Sequence, residues 1–299
     1  MSTPAYTVKT HVYKRVNGLD LTIDVCTPTG KESSKPLTAL IFYHGVFLIF
    51  GSKTAWAPEW LIRASIRRGW TYIAPSYRLL PEATGDDVLS DTLDAAQWVA
   101  ADITPRIVMT GASAGGFLAM ATAVQLRSPR PPAVLAIYGM LDFSHPEYID
   151  GSAMGAMPPL PDTVTGPVVE EITASRGVDI IDAYSQPEDM ATDKRMLWVA
   201  VIKQLALFPE IITGVPGLSQ KIRQSGVENI KLEHRKFFPV AFGLSEDFPP
   251  TAFVHGTADD LVEVSQSTNA AEKLRAIGVD VALERAWCRT WLRHGRDRA

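Results

Sequence analysis

Hydrophobic positions along the chain follow two rhythms. "HVYKRVNGLDLTIDVCTP" alternates apolar and polar residues around Asn17-Gly18, a favoured two-residue hairpin turn, and predicts two antiparallel strands. "LTALIFYHG" is a continuous apolar run, the pattern of a strand covered on both faces of a parallel sheet. A helical period follows in "APEWLIRASIRRG", with Pro58 near its start and Gly69 at its end. Next come a strand in "WTYIAPSYRL", a helix in "DVLSDTLDAAQWVA", a strand in "RIVMTG", a helix in "AGGFLAMATAVQL" and a strand in "AVLAIYG". Strands and helices alternating in units of this length predict an α/β fold with a mainly parallel sheet and helices on both faces.

The alternation breaks after Asp142. Residues 145–247 hold prolines, glycines and at least two helical patterns, without a convincing buried strand. "TAFVHGTADDLV" restores the strand, and a helix in "VSQSTNAAEKLRAIG" and a strand in "VDVALERA" close the series. The organisation expected is a core of residues 1–144 and 248–299 interrupted by a mostly helical cap at 145–247, a length at which insertions usually carry function. The most apolar stretch, "MLWVAVIKQLALFPEIITGV", is interrupted by Lys203, Pro209 and Glu210, so it predicts one covered helix instead of a membrane span.

Composition narrows the partners. With 21% charged residues, a net charge of −4 and no long basic block, the chain shows no footprint for nucleic acid or anionic lipid, and a small neutral or mildly apolar molecule fits better. The polar start "MSTPAYTVKTHVYK" lacks the apolar core of a secretory signal, so a cytoplasmic protein is expected. Cys26 and Cys288 lie far apart and outside any metal-ligand spacing, which predicts two free thiols and neither a disulfide framework nor a zinc site. Neither a metal nor an organic cofactor is implied, and the oligomeric state is left open.

The candidate chemistry centres on "GASAG", residues 111–115. A serine hydroxyl is a weak nucleophile and must be presented clear of the fold, beside a base and beside donors for developing negative charge. A tight strand-to-helix turn does this for Ser113, with Gly111 and Gly115 where side chains would collide with backbone and the Ala114 N–H at the helix start. The same pentapeptide also suits a plain helix N-cap turn.

Three segments in order, "FYHGVFLIFGS", "SYRLLPEATGDDVLSDTLDAAQWV" and "HGTADDLVEVSQS", resemble the hormone-sensitive-lipase-like esterases of the α/β-hydrolase superfamily. The resemblance implies that the N–H groups of Gly45 and Val46 join that of Ala114 in an oxyanion hole, with His44 bracing the loop. It also implies that Asp259 is the acid of a triad, with Asp260 its neighbour and His255 a loop residue. Tyr77, Arg78, Pro81 and Glu82 fall on packing and turn positions. Val46 stands where the family has glycine, Ser76 where it has aspartate and Glu263 where it has proline. A β-branched residue resists positive φ, so a distorted or differently built hole is expected at Val46.

In this fold the triad runs serine, acid, histidine. Of His11, His44, His145, His234, His255 and His294, only His294 lies beyond Asp259. It sits in "AWCRTWLRHGRDRA", an Arg- and Trp-rich stretch that a truncated or frameshifted tail would also produce. The resemblance implies a serine carboxylic-ester hydrolase acting on a small to medium, moderately apolar ester through an acyl-enzyme. Trp198, Leu205, Phe208 and Phe238 are candidate cap lining, although each also suits plain packing. An acyltransferase or thioester-releasing enzyme with the same triad, or an inactive hydrolase-like ligand binder, are the alternatives.

Overall fold

The computed structural model describes residues 6–30, 38–152, 158–185 and 192–286. Strands β1 (Tyr6–Val16) and β2 (Leu19–Pro28) form the antiparallel hairpin, with Asn17 and Gly18 both at positive φ (50° and 85°), as a type I′ turn requires. There follow β3 (Ala39–Tyr43), α1 (Glu59–Arg67), β4 (Thr71–Pro75), α2 (Gly85–Asp102), β5 (Ile107–Ala112), α3 (Ala114–Gln125) and β6 (Val134–Ile137). After an insertion come β7 (Thr251–Gly256), a helix over Ser265–Ala276 and β8 (Val281–Ala286).

The eight strands form one sheet in the order β1-β2-β4-β3-β5-β6-β7-β8, parallel from β4 to β8 and antiparallel at β1-β2 and β2-β4. Alternate residues of one strand face opposite layers. Leu40 and Phe42 of β3 pack with Leu61, Ile62 and Ile66 of α1, whereas Ile41 and Tyr43 join the larger core with α2 and α3. Because β5, β6, β7 and β8 are parallel and in register, all four end on one edge, where the segments bearing Ser113 and Asp259 emerge.

Between β6 and β7 the described residues carry helices α4 (Pro146–Ile149), α5 (Asp162–Ala174), α6 (Lys194–Gln204), α7 (Phe208–Thr213), α8 (Leu218–Ser225) and α9 (Pro239–Phe242); the helix over Ser265–Ala276 is therefore α10. The single covered helix expected over 196–215 is instead two, α6 and α7. Ala206 turns left-handed (φ 57°), its N–H bonding the carbonyl of Lys203 at 3.2 Å and that of Leu207 the carbonyl of Ile202 at 2.8 Å, a Schellman stop that uses alanine in place of glycine. Pro209 then sits in the first turn of α7, where its missing N–H costs nothing. Among the described residues no helix is long and apolar enough to cross a membrane.

The segment after β4 ties the outer hairpin to the helical layer. Arg78 Nε and Nη2 donate to the two carboxylate oxygens of Asp91 at 2.7 and 2.8 Å, and Nη1 donates to Asp87 at 2.8 Å. Lys14 of β1 reaches the same Asp91, whose side chain is fully buried. Ser76, at the position where aspartate is usual, accepts the Thr22 N–H at 3.0 Å. Removing Arg78 leaves the buried Asp91 carboxylate with Lys14 as its remaining cation and strips it of the guanidinium fork, so Arg78→Met is expected to cost about 3 kcal/mol of unfolding free energy, measured by urea titration. The loss should shrink when Asp91→Asn is added; a loss below about 1 kcal/mol for Arg78→Met alone would show that Asp91 does not depend on it.

Candidate active site

Ser113 joins β5 to α3 with φ 53° and ψ −123°, a conformation that costs on the order of 1–3 kcal/mol and persists only where neighbours impose it. Three backbone hydrogen bonds do so. The Ser113 N–H donates to the carbonyl of Ile137 on β6, and its own carbonyl accepts the N–H groups of Gly116 and Met140, each at 2.9 Å. A Cβ at Gly111 would lie 1.9 Å from the Gly115 carbonyl oxygen, and one at Gly115 would lie 2.0 Å from that of Tyr43. The glycines are thus required by space, because strand, helix and neighbouring strand meet backbone to backbone. Ala114 opens α3, so its N–H has no acceptor within the helix.

The loop after β3 closes on this elbow. A Cβ on Gly45 would fall 2.7 Å from the Ala112 carbonyl oxygen and 2.9 Å from the Ser113 Cβ, so the Gly45 backbone lies against the serine. His44 is buried; its Nδ1–H donates to the Gly45 carbonyl at 3.1 Å, which leaves Nε2 unprotonated and without a hydrogen-bond partner among the described residues. The ring stacks on Tyr77 with centroids 4.3 Å apart, and the Tyr77 hydroxyl donates to the His44 carbonyl at 2.8 Å. Burial pushes the His44 pKa down to about 4.

Val46 takes a positive φ despite its β-branch. Val46, Phe47 and Leu48 stand at φ 72°, 60° and 65°, three successive left-handed residues without a glycine, closed by the Ile49 N–H on the Val46 carbonyl at 3.1 Å. For L-residues this costs roughly 1–2 kcal/mol each, so the turn has to be held from outside. Contacts do hold it. The Leu80 N–H donates to the Leu48 carbonyl at 2.8 Å, Gly51 and Tyr184 exchange both backbone bonds, and Arg195 of α6 donates to the Ile49 carbonyl at 2.5 Å. The Phe47 ring stacks on Phe208 of α7, which packs on Phe143 and Tyr148.

Asp259 follows β7. Its carboxylate is fully buried, with Oδ1 accepting the N–H groups of Leu261 and Val262 at 3.0 and 3.1 Å and Oδ2 3.8 Å from His255 Nε2. Asp260 is exposed. His255 is saturated, with Nδ1 at 2.8 Å from the Ser267 hydroxyl and Nε2 at 3.0 Å from the Val262 carbonyl, so it secures the loop and is in no position to serve the serine. The loop is also held from the insertion. Lys203 Nζ donates to Glu147 Oε1 at 3.1 Å and to the Leu261 carbonyl at 2.9 Å, and Glu147 Oε2 accepts the Glu263 N–H at 3.2 Å, a donor that proline would lack. Burial raises the Glu147 pKa, with Lys203 opposing.

Ser113, Ala114, Gly45 and Val46 therefore converge, and Asp259 lies at the same sheet edge two strands away from β5. His294 and Cys288 lie outside the described residues, whereas Cys26 is a buried free thiol. Among the candidate lining residues, Trp198 donates to Glu171 at 3.1 Å, Phe208 and Phe238 are buried in the packed core, and Leu205 is exposed, on the solvent side of the α6 terminus. Among the described residues no cluster of His, Cys, Asp and Glu could hold a metal ion. Arg195, Lys203 and Glu147 were not singled out for the site by sequence reasoning. Their signal is a charge inside a covered segment, which must find a partner.

A family model described as alpha/beta hydrolase fold matches residues 40–201. "Probable carboxylesterase M8" of a Phoma species is 26% identical over 286 residues, covering 89% of this chain and 82% of that protein. The non-reducing polyketide synthase ausA of Penicillium brasilianum is 27% identical over 316 residues, which covers 92% of this chain but 12% of the synthase. Among solved structures, esterase 2 of Thermogutta terrifontis phosphorylated by paraoxon superposes with a TM-score of 0.59 at 17% identity, covering 97% of this chain and 86% of that one. A bacterial heroin esterase gives 0.61 at 20% identity, covering 95% and 76%.

The buried histidines set an acid limit on stability. Because the His44 pKa is depressed in the folded state, the unfolded chain binds the extra proton between about pH 6.5 and 4. Stability is thus retained above pH 6.5 and falls as pH drops through that window, by on the order of 3 kcal/mol for His44 once both states are protonated. His255, lowered by burial, acts in the same direction. Urea midpoints measured from pH 7.5 to 4 are expected to fall and to fall less in His44→Asn; superimposable profiles would refute the assignment.

Proposed function

The chain belongs to the α/β-hydrolase family, and from that premise we propose that it is a serine carboxylic-ester hydrolase. The observation that carries the reading is the approach of Gly45 to Ser113: a strained serine at an elbow, with the backbone of a second loop packed against its Cβ. The carboxylesterase relative, which aligns along most of both chains, supports the same reaction class.

In this mechanism Ser113 Oγ attacks the ester carbonyl while His294 accepts its proton. The oxyanion is held by the N–H groups of Ala114, Gly45 and Val46, and collapse expels the alcohol, to which His294 returns the proton. Water then cleaves the acyl-enzyme by the same sequence. Asp259 orients His294 and stabilises its charged form; two backbone N–H groups on Oδ1 hold the carboxylate in its orientation. The reach is sufficient. β8 ends at Ala286 on the edge that carries Ser113, eight residues before His294. Eight extended residues span up to about 26 Å. The three strand spacings from β8 to β5 amount to about 14 Å.

A second reading is favoured by several synthase relatives, which match 92% of this chain within 12 to 13% of their own length. The same elbow and hole would accept an acyl thioester as readily as an ester, releasing it to water or to another alcohol. Comparing p-nitrophenyl butyrate with a butyryl N-acetylcysteamine thioester separates the two by the ratio of their kcat/KM values.

Ser113→Ala and His294→Gln are expected to reduce p-nitrophenyl ester turnover to the same residual level, at least about 1000-fold below the parent, because members of one catalytic unit are not additive. Turnover surviving Ser113→Ala would overturn the mechanism. An active His294→Gln with an inactive Ser113→Ala would remove only the histidine.

A further inference from the structure

We propose that Arg195 is a positioning residue for the oxyanion hole: from α6 it clamps the left-handed turn Val46–Leu48 and so aims the hole's N–H groups without touching substrate. The proposal rests on the esterase reading above. The turn is the place where this chain departs from a glycine loop, and its non-glycine residues favour other backbone conformations. Arg195 meets it at the point of exit. Its Nη1 donates to the carbonyls of Ile49 at 2.5 Å and Leu80 at 3.3 Å, and Nη2 donates to Glu82 Oε1 at 2.5 Å. Leu80 in turn gives its N–H to the Leu48 carbonyl at 2.8 Å, so the guanidinium holds both strands of this contact.

The clamp is itself fixed. Arg195 is buried, its guanidinium lies over Tyr184 at 4.8 Å and Trp198 at 5.1 Å, and Tyr184 forms the bridge to Gly51 at the far end of the loop. Neither Ile49 nor Leu80 offers a side chain that could take over these bonds. The planar fork presents its donors in separate, fixed directions to two carbonyls and a carboxylate at once, whereas a lysine would have to reach all three from a single nitrogen.

The test begins with parent enzyme, whose turnover of p-nitrophenyl butyrate and phosphonylation at Ser113 decide the esterase reading separately. In Arg195→Met/Glu82→Gln, where no buried carboxylate is left alone, kcat is expected to fall about 30- to 100-fold with KM nearly unchanged. Affinity for a trifluoromethyl ketone transition-state analogue should fall in proportion. Adding Val46→Gly to the double variant relieves the strained turn and should restore at least tenfold in kcat; the gain should exceed its effect in the parent by that factor. Wild-type kcat and analogue affinity in the double variant, or an equal effect of Val46→Gly in both backgrounds, would overturn the proposal. Should the parent prove inert, amide exchange still decides: residues 46–51 are expected to exchange at least tenfold faster in the double variant while β5 and β6 are unchanged, and equal exchange would refute the clamp.

Discussion

Three backbones meet at one point in this molecule: the end of β3, the end of β5 and the first turn of α3. The Gly115 Cα lies so close to the Tyr43 carbonyl, and Gly111 so close to the Gly115 carbonyl, that one methyl group at either site would require the layers to part. From this approach the rest follows. It forces Ser113 into its unusual φ and lifts its side chain out of the sheet. It also brings Gly45 against the serine and sets the open N-terminus of α3 directly after it. The surrounding parallel strands make such contact possible, since each contributes its carboxyl end to the same edge.

Much of this architecture was legible along the chain, because β-strands covered on both faces and helices covered on one obey different periods. The hairpin at Asn17-Gly18, the apolar β3 and the Gly-Ala-Ser-Ala-Gly elbow each carry a local signature whose physical cause is local. The break between α6 and α7 was not legible. Its left-handed stop falls on Ala206, a residue with no preference for that conformation, and is held by the Ser219 hydroxyl on the Ala206 carbonyl and by the packing of Phe208 against Phe47 and Tyr148. Nor could the pattern show that Val46, Phe47 and Leu48 take glycine-like angles, because the forces that hold them come from residues about 30 and about 150 positions away.

The departures from the family's usual residues become intelligible as hydrogen bonds. Ser76 uses its hydroxyl to accept the Thr22 N–H from β2. Glu263 keeps an N–H that Glu147 requires, and Glu147 is the partner of Lys203. Each of these residues ties another element to the sheet edge that carries Ser113: β2 through Ser76 and the α4 carboxylate through Glu263.

α6 is where these ties gather. Arg195 and Lys203 stand eight residues apart on it, about 12 Å along the axis, and they address different loops: Arg195 the turn after β3, Lys203 the loop that carries Asp259. Burying two cations on one short helix is costly unless each is paired and hydrogen-bonded, and each is, with Glu82 and with Glu147. A glycine-rich loop can adopt its shape on its own; this one cannot. Strain at Val46–Leu48 and desolvated charge on α6 are therefore two sides of one arrangement, in which the insertion between β6 and β7 supplies the rigidity that the loop's own residues lack.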